Sequence, residues 1–157
     1  MKKIFYFISL SLLWNCTPRF FKPVPKEFAT QERINKAKGF AENIFNKCET
    51  KDYSEIQGYD IEAGLKSTRF TSEELVKSCE KLSEKYGKIT VGELYNTISF
   101  TRPADFSDLM IFKAKSEKKD SVKYVVVDIY RDKDYIKDIY FMNKSKPKVH
   151  IKHFEIE

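Results

Sequence analysis

At Gly87 the hydrophobic period of this chain changes from that of a helix to that of a strand, and this limits the fold more than any other feature. Before it, Ile34, Ala37, Ala41, Ile44 and Cys48 recur at i, i+3, i+4 spacing with Phe45 beside them. Glu32, Arg33, Lys36, Lys38 and Glu42 fall elsewhere on the same cylinder. The pattern predicts an amphipathic helix of about 18 residues that starts near Thr30, a good N-cap. Thr71, Ser72, Glu73 and Glu74 form a capping box, which opens a helix carrying Leu75, Cys79, Leu82 and Tyr86 on one stripe. Gly87 is placed to end it. Between the two, a short helical turn is expected at residues 53–56. Gly58 and Gly64 then bracket an irregular piece whose Tyr59, Ile61 and Leu65 face inward.

Beyond Gly87 apolar residues alternate. Strands are predicted at 89–100 (with a bulge at Gly92), 109–115, 122–131 and 135–142, and residues 101–108, which contain Pro103, read as a loop. The expected class is therefore α+β: three N-terminal helices packed on a curled four-stranded antiparallel sheet. Val125, Val127, Ile129, Ile139 and Phe141 define an aliphatic face for the helices. Tyr124, Val126, Asp128, Tyr130, Asp138 and Tyr140 give the opposite face, read as either wet or a shallow site.

The N-terminus has a different logic. Lys2 and Lys3 precede an uncharged run from Ile4 to Trp14, whose eleven residues as a helix would cover about 16 Å, half a hydrocarbon core. That suits a secretory signal and is too short for a permanent span. The run ends at Asn15 and Cys16, and with Leu13 three positions before the cysteine it resembles the signal of bacterial lipoproteins. Trp14 and Asn15 depart from the small residues usual there. The resemblance implies cleavage before Cys16 and acylation of its sulfur (diacylglycerol, usually with a third, amide-linked chain such as palmitate). It also implies a place in the cell envelope facing the periplasm or the surface. Thr17, not Asp, follows the cysteine, which points to the outer rather than the inner membrane. Pro18, Pro23 and Pro25 make residues 17–28 read as an extended tether reaching up to about 37 Å. The expected organisation is a signal at 1–15, lipidated Cys16 and tether at 16–28, one α+β domain at 29–143, and a basic tail or edge strand at 144–157.

Helices followed by a curled sheet resemble the nuclear transport factor 2-like (cystatin-like) cone, and small bacterial envelope domains of that superfamily in particular. The residues carrying the resemblance are FAEN from Phe40, DY from Asp52, TSEEL from Thr71, YGKI from Tyr86, VVVDIY from Val125 and DIYF from Asp138. The family's Asp-Gly turn before the last strand stands here as Asp132, Lys133 and Asp134. The resemblance implies a fold and a compartment but no activity, because that superfamily hosts enzymes, binders and scaffolds alike.

Composition narrows the chemistry. Aromatic residues are 15% of the chain and apolar ones 41%, enough for a core, so a disordered chain is excluded. Charged residues of both signs, 33%, exclude a bundle of membrane spans. The net charge of +6 falls to +4 without Lys2 and Lys3, too mild a balance to argue for nucleic acid. No phosphate loop, nucleophilic triad or Cys/His pair is present, and no cofactor motif. Both histidines, His150 and His153, lie in the tail, at a spacing that on a strand points them to opposite faces, and no metal site is read there. The tail lysines (Lys144, Lys146, Lys148 and Lys152) read as a device against edge aggregation, with contact to an anionic envelope surface as the alternative.

Cys48 and Cys79, both on inward stripes, read either as a disulfide or as two buried thiols. The leading functional expectation is a non-enzymatic, lipid-anchored envelope protein. Its aromatic face (Tyr95, Tyr124, Asp128, Tyr130 and Tyr140) would take an envelope protein or a small apolar ligand. The alternative is an enzyme of the same fold with Asp128 as acid or base and tyrosines as donors. A third reading is a homodimer joined sheet to sheet through that face.

Overall fold

Thr30 caps the first helix by accepting a hydrogen bond from the Arg33 N–H, and α1 runs Gln31–Thr50. It ends where Lys51 takes a left-handed conformation (φ 56°). The computed structural model describes residues 21–102, 105–118 and 122–143, so Cys16 and the histidine-bearing tail lie outside the described residues.

The second helix is not where its sequence suggested. Residues 53–56 form no helix, and α2 is Ala63–Arg69, inside the piece read as irregular. The Glu62 carboxylate accepts from the Leu65 N–H and supplies the N-cap. Backbone bonds from Glu62 N to Ile136 O (2.9 Å) and from Ile136 N to Asp60 O (2.8 Å) then fix where that cap sits. This is a tertiary anchor, invisible to local periodicity. α3 is Ser72–Tyr86, with Thr71 accepting from the Glu74 N–H. The Glu74 carboxylate pairs with Lys77 instead of reaching back to the cap. Gly87 terminates α3 at φ 67°, and a Cβ there would meet the Glu117 carboxylate at 2.8 Å.

The sheet has five strands in the order β1-β2-β3-β4-β5, all neighbours antiparallel. They are β1 (Phe21–Pro23), β2 (Ile89–Arg102), β3 (Asp105–Ser116), β4 (Tyr124–Tyr130) and β5 (Ile136–Met142). The expectation of four strands following all three helices is thereby corrected: β1 precedes the helices and pairs with β2, Phe21 opposite Phe100. It is three residues long and ends in a proline that cannot donate to a ladder, so nothing in its sequence announces a strand. Residues from Phe21 on are therefore part of the domain and not tether. Phe21 rests on Phe100 (centroids 5.1 Å apart), Val24 is buried, and the Phe28 ring lies under the Arg131 guanidinium at 4.8 Å. Residues 101–108 are likewise not a long loop, since β2 and β3 extend into them as a hairpin. The register of β2 shifts between Val91 and Leu94, around Gly92, as a bulge.

The aliphatic sheet face takes the helices. Met110, Phe112, Val125, Val127, Ile129 and Ile139 pack against Ala37, Phe40, Ala41, Ile44 and Phe45 of α1. Small Ala37 and Ala41 let the helix lie close, and the Phe40 ring meets Tyr59 and Phe70 edge-on. The opposite face, read as either wet or a shallow site, is largely covered at its centre, with Tyr124 and Tyr130 half-buried beside it. Ile111 and Val126 are 0% exposed there, in a second cluster with Leu109 and Tyr140 to which no described helix contributes. No helix among the described residues is long and apolar enough to cross a membrane.

Candidate functional site

The apolar stripe of α3 is narrow, and of its residues only Leu75 and Cys79 are buried. That suffices to bind α3 to α1 but not to lay it on the sheet. Cys79 is joined to Cys48 of α1 by a disulfide closing a 31-residue separation, with Cα atoms 4.8 Å apart. The helix stands off from β5, and the space between is a groove of about 550 Å³. Its floor is made by Ile44 and Phe45 of α1, Phe70, Leu75 and Leu82 from the α2–α3 segment, and Ile139 and Phe141 of β5. Phe141 lies 5.8 Å from the Phe45 ring and 5.4 Å from that of Tyr86, which closes the floor with aromatic packing.

The groove's charged lining is Arg69, Glu74, Lys77 and Lys81, with Ser78 among them. Arg69 Nη1 donates to Asp138 Oδ1 at 2.9 Å. Lys77 Nζ lies 2.8 Å from Glu73 and 2.9 Å from Glu74. The hydrogen bonds to Glu73 and then Glu74 hold the ammonium above its usual pKa, and the one from Lys77 holds Glu73 below the usual carboxylate range. An apolar trough with a charged lip can take a ligand with an apolar body. Among the described residues no group of three His, Cys, Asp or Glu is placed to hold a metal ion.

A second assembly lies at the other end of α1. Asp108, 0% exposed, is reached by Arg33 Nη1 (2.9 Å), Arg131 Nη2 (2.6 Å) and the Ser99 hydroxyl (2.8 Å), and Arg131 also donates to Ser99. Arg33 continues to Asp134 (2.6 Å) and to the carbonyls of Phe28 and Tyr130. Burial pushes the Asp108 carboxyl up, but the hydrogen bonds from Arg131, Arg33 and Ser99 outweigh it and leave the pKa below the ordinary value. Every oxygen of Asp108 is engaged, so the cluster is a lock between elements. Sequence reasoning placed Arg33 off the packed stripe and Asp108 in a loop. Both were legible: Arg33 lies on the i+4 row of Ala37 and Ala41, and Asp108 continues the alternation Met110, Phe112, Ala114.

The residues expected to form an aromatic site lie along one sheet face, where Tyr124 packs against the cluster that holds Tyr140. Tyr95, 41% exposed, packs on Tyr124 with centroids 4.7 Å apart. Asp128 lies four residues along β4 from Tyr124, about 13 Å away at strand rise. Around it Lys137 Nζ stands 3.8 Å from the carboxylate and 5.3 Å from the Tyr130 ring. Burial, then the nearby Asp128 and Asp138, push the Tyr140 phenol well above its usual pKa. Of these five residues Tyr140 lines the groove, at its β5 edge, and the others do not. The groove itself, formed where α3 leaves the sheet, was not foreseen.

The chain was compared with family models, curated proteins and solved structures. None matches it. The site therefore rests on its own geometry.

Proposed function

We propose that this chain is a bacterial cell-envelope lipoprotein, anchored through acylated Cys16, whose domain binds a small apolar ligand or partner in the groove between α3 and β5 and catalyses no reaction. The observation that carries this reading is the Cys48–Cys79 disulfide. Such bridges form and persist in oxidising compartments outside the cytosol, which is where the leader ending at Cys16 would deliver the chain. Two or more acyl chains on Cys16 would hold it at a bilayer stably, since each buried methylene contributes about 0.8 kcal/mol. The groove supports binding over turnover: its floor is aliphatic and aromatic, and Asp128, the carboxylate best placed by sequence for acid–base work, does not line it. The outer membrane is the proposed location, from Thr17 after the cysteine.

The test is incorporation of labelled palmitate in cells producing the wild-type chain or Cys16→Ala. Label on the wild type and none on the variant is expected, with the variant released from the membrane fraction. Equal labelling of both would remove the anchor from this reading.

A further inference from the structure

We propose that the groove holds a single-chain fatty acid, its alkyl chain along the α1–α3–β5 floor and its carboxylate at Lys81. This rests on the reading of the groove as the binding surface. Ile44, Phe45, Leu75, Leu82 and Ile139 offer a bound chain no hydrogen-bonding side chain, so a sugar laid on them would bury polar groups without partners. An extended peptide could pair only along the outer edge of β5. An alkyl chain has no polar groups to bury. At about 550 Å³ the groove is in the range of a single small ligand.

The lip offers one cation to a head group. Arg69 is held by Asp138, and Lys77 by Glu73 and Glu74, which uses up those three carboxylates. Three cations and three carboxylates leave the lip neutral overall, but of the cations lining the groove Lys81 alone has no acidic partner among the described residues, so its ammonium keeps its donors for a ligand. Ser78 precedes Lys81 by three residues on α3, which puts hydroxyl and ammonium on adjacent turns of one side of the helix. A cation with a neighbouring hydroxyl donor beside an apolar trough suits a carboxylate that ends a hydrocarbon chain.

The experiment uses the full chain, produced with its leader in a bacterial host and kept in its membranes. Two photoactivatable probes with a mid-chain diazirine, a fatty acid and the matching primary alcohol, are crosslinked, and the labelled peptides are mapped by mass spectrometry. The acid is expected to label peptides from α3 and β5. Lys81→Glu should lower that labelling about fivefold, the effect of about 1 kcal/mol, and leave the alcohol's labelling unchanged. Lys85→Glu, the same charge change outside the groove lining, should leave both unchanged. Leu82→Glu should abolish labelling by both. If acid and alcohol label the groove equally and Lys81→Glu changes neither, the fatty-acid assignment is overturned while the apolar-ligand reading stands. If neither probe labels α3 or β5, both are overturned.

Discussion

Asp108 answers two arginines with one carboxylate, and its surroundings make it the most consequential single side chain in the fold. Arg33 comes from α1, Ser99 from β2, and Arg131 from the turn after β4, so one buried anion joins three parts of the chain. Removing it takes from the half-buried Arg131 its carboxylate partner and from the buried Arg33 one of its two. Asp108→Ala should cost about 3–5 kcal/mol of stability, read from urea unfolding monitored by circular dichroism. The pH dependence has a definite sign. The folded-state pKa lies below the ordinary value, so the unfolded chain binds the proton more readily. The stabilisation is present in full above about pH 4 and is withdrawn as the pH falls further. Asp108→Asn should flatten the loss of stability in acid, and an unchanged acid limb would show that other carboxylates govern it.

Among the elements, α3 is the least secured. Leu75 and Cys79 are its only buried residues, and its described neighbours in the core are α1 and α2 more than the sheet. The Cys48–Cys79 bridge supplements this narrow contact. For a 31-residue separation the loop-entropy argument gives about 3–4 kcal/mol from the bridge. The double variant Cys48→Ser/Cys79→Ser should therefore melt well below the wild type. Hydrogen exchange should rise first in α3 and leave β3 and β4 protected. Uniform loss of protection would mean that α3 is no separate unit. The contrast with α1 is one of residue choice: α1 presents Ala37, Phe40, Ala41, Ile44 and Phe45 to the sheet and needs no covalent help.

Across the whole molecule, the sheet is completed by the segment that leads into the helices. Phe21 covers Phe100, and Val24 is buried just beyond β1. A fragment beginning at Lys26 would leave β2 as a bare edge. It should be less stable by about 2 kcal/mol than one beginning at Thr17, and should associate at concentrations where the longer one stays monomeric. Thermal melts and light scattering on the two fragments would check this, and coincident curves would show that β1 contributes nothing.

Periodicity alone determined α1, α3 and the strands after Gly87, including which strand face meets the helices. In those segments burial on one side acts residue by residue at a fixed spacing, so the pattern is written locally. The short elements were not legible: β1 has three residues, one of them proline, and α2 starts where a backbone pairing with Ile136 holds Glu62. Only the tertiary structure brought Arg33 to Asp108, 75 positions away, and only it opened the groove. That groove is the gap between a helix bonded to α1 and the strand edge it fails to reach, a distance set by packing among remote residues and by one disulfide.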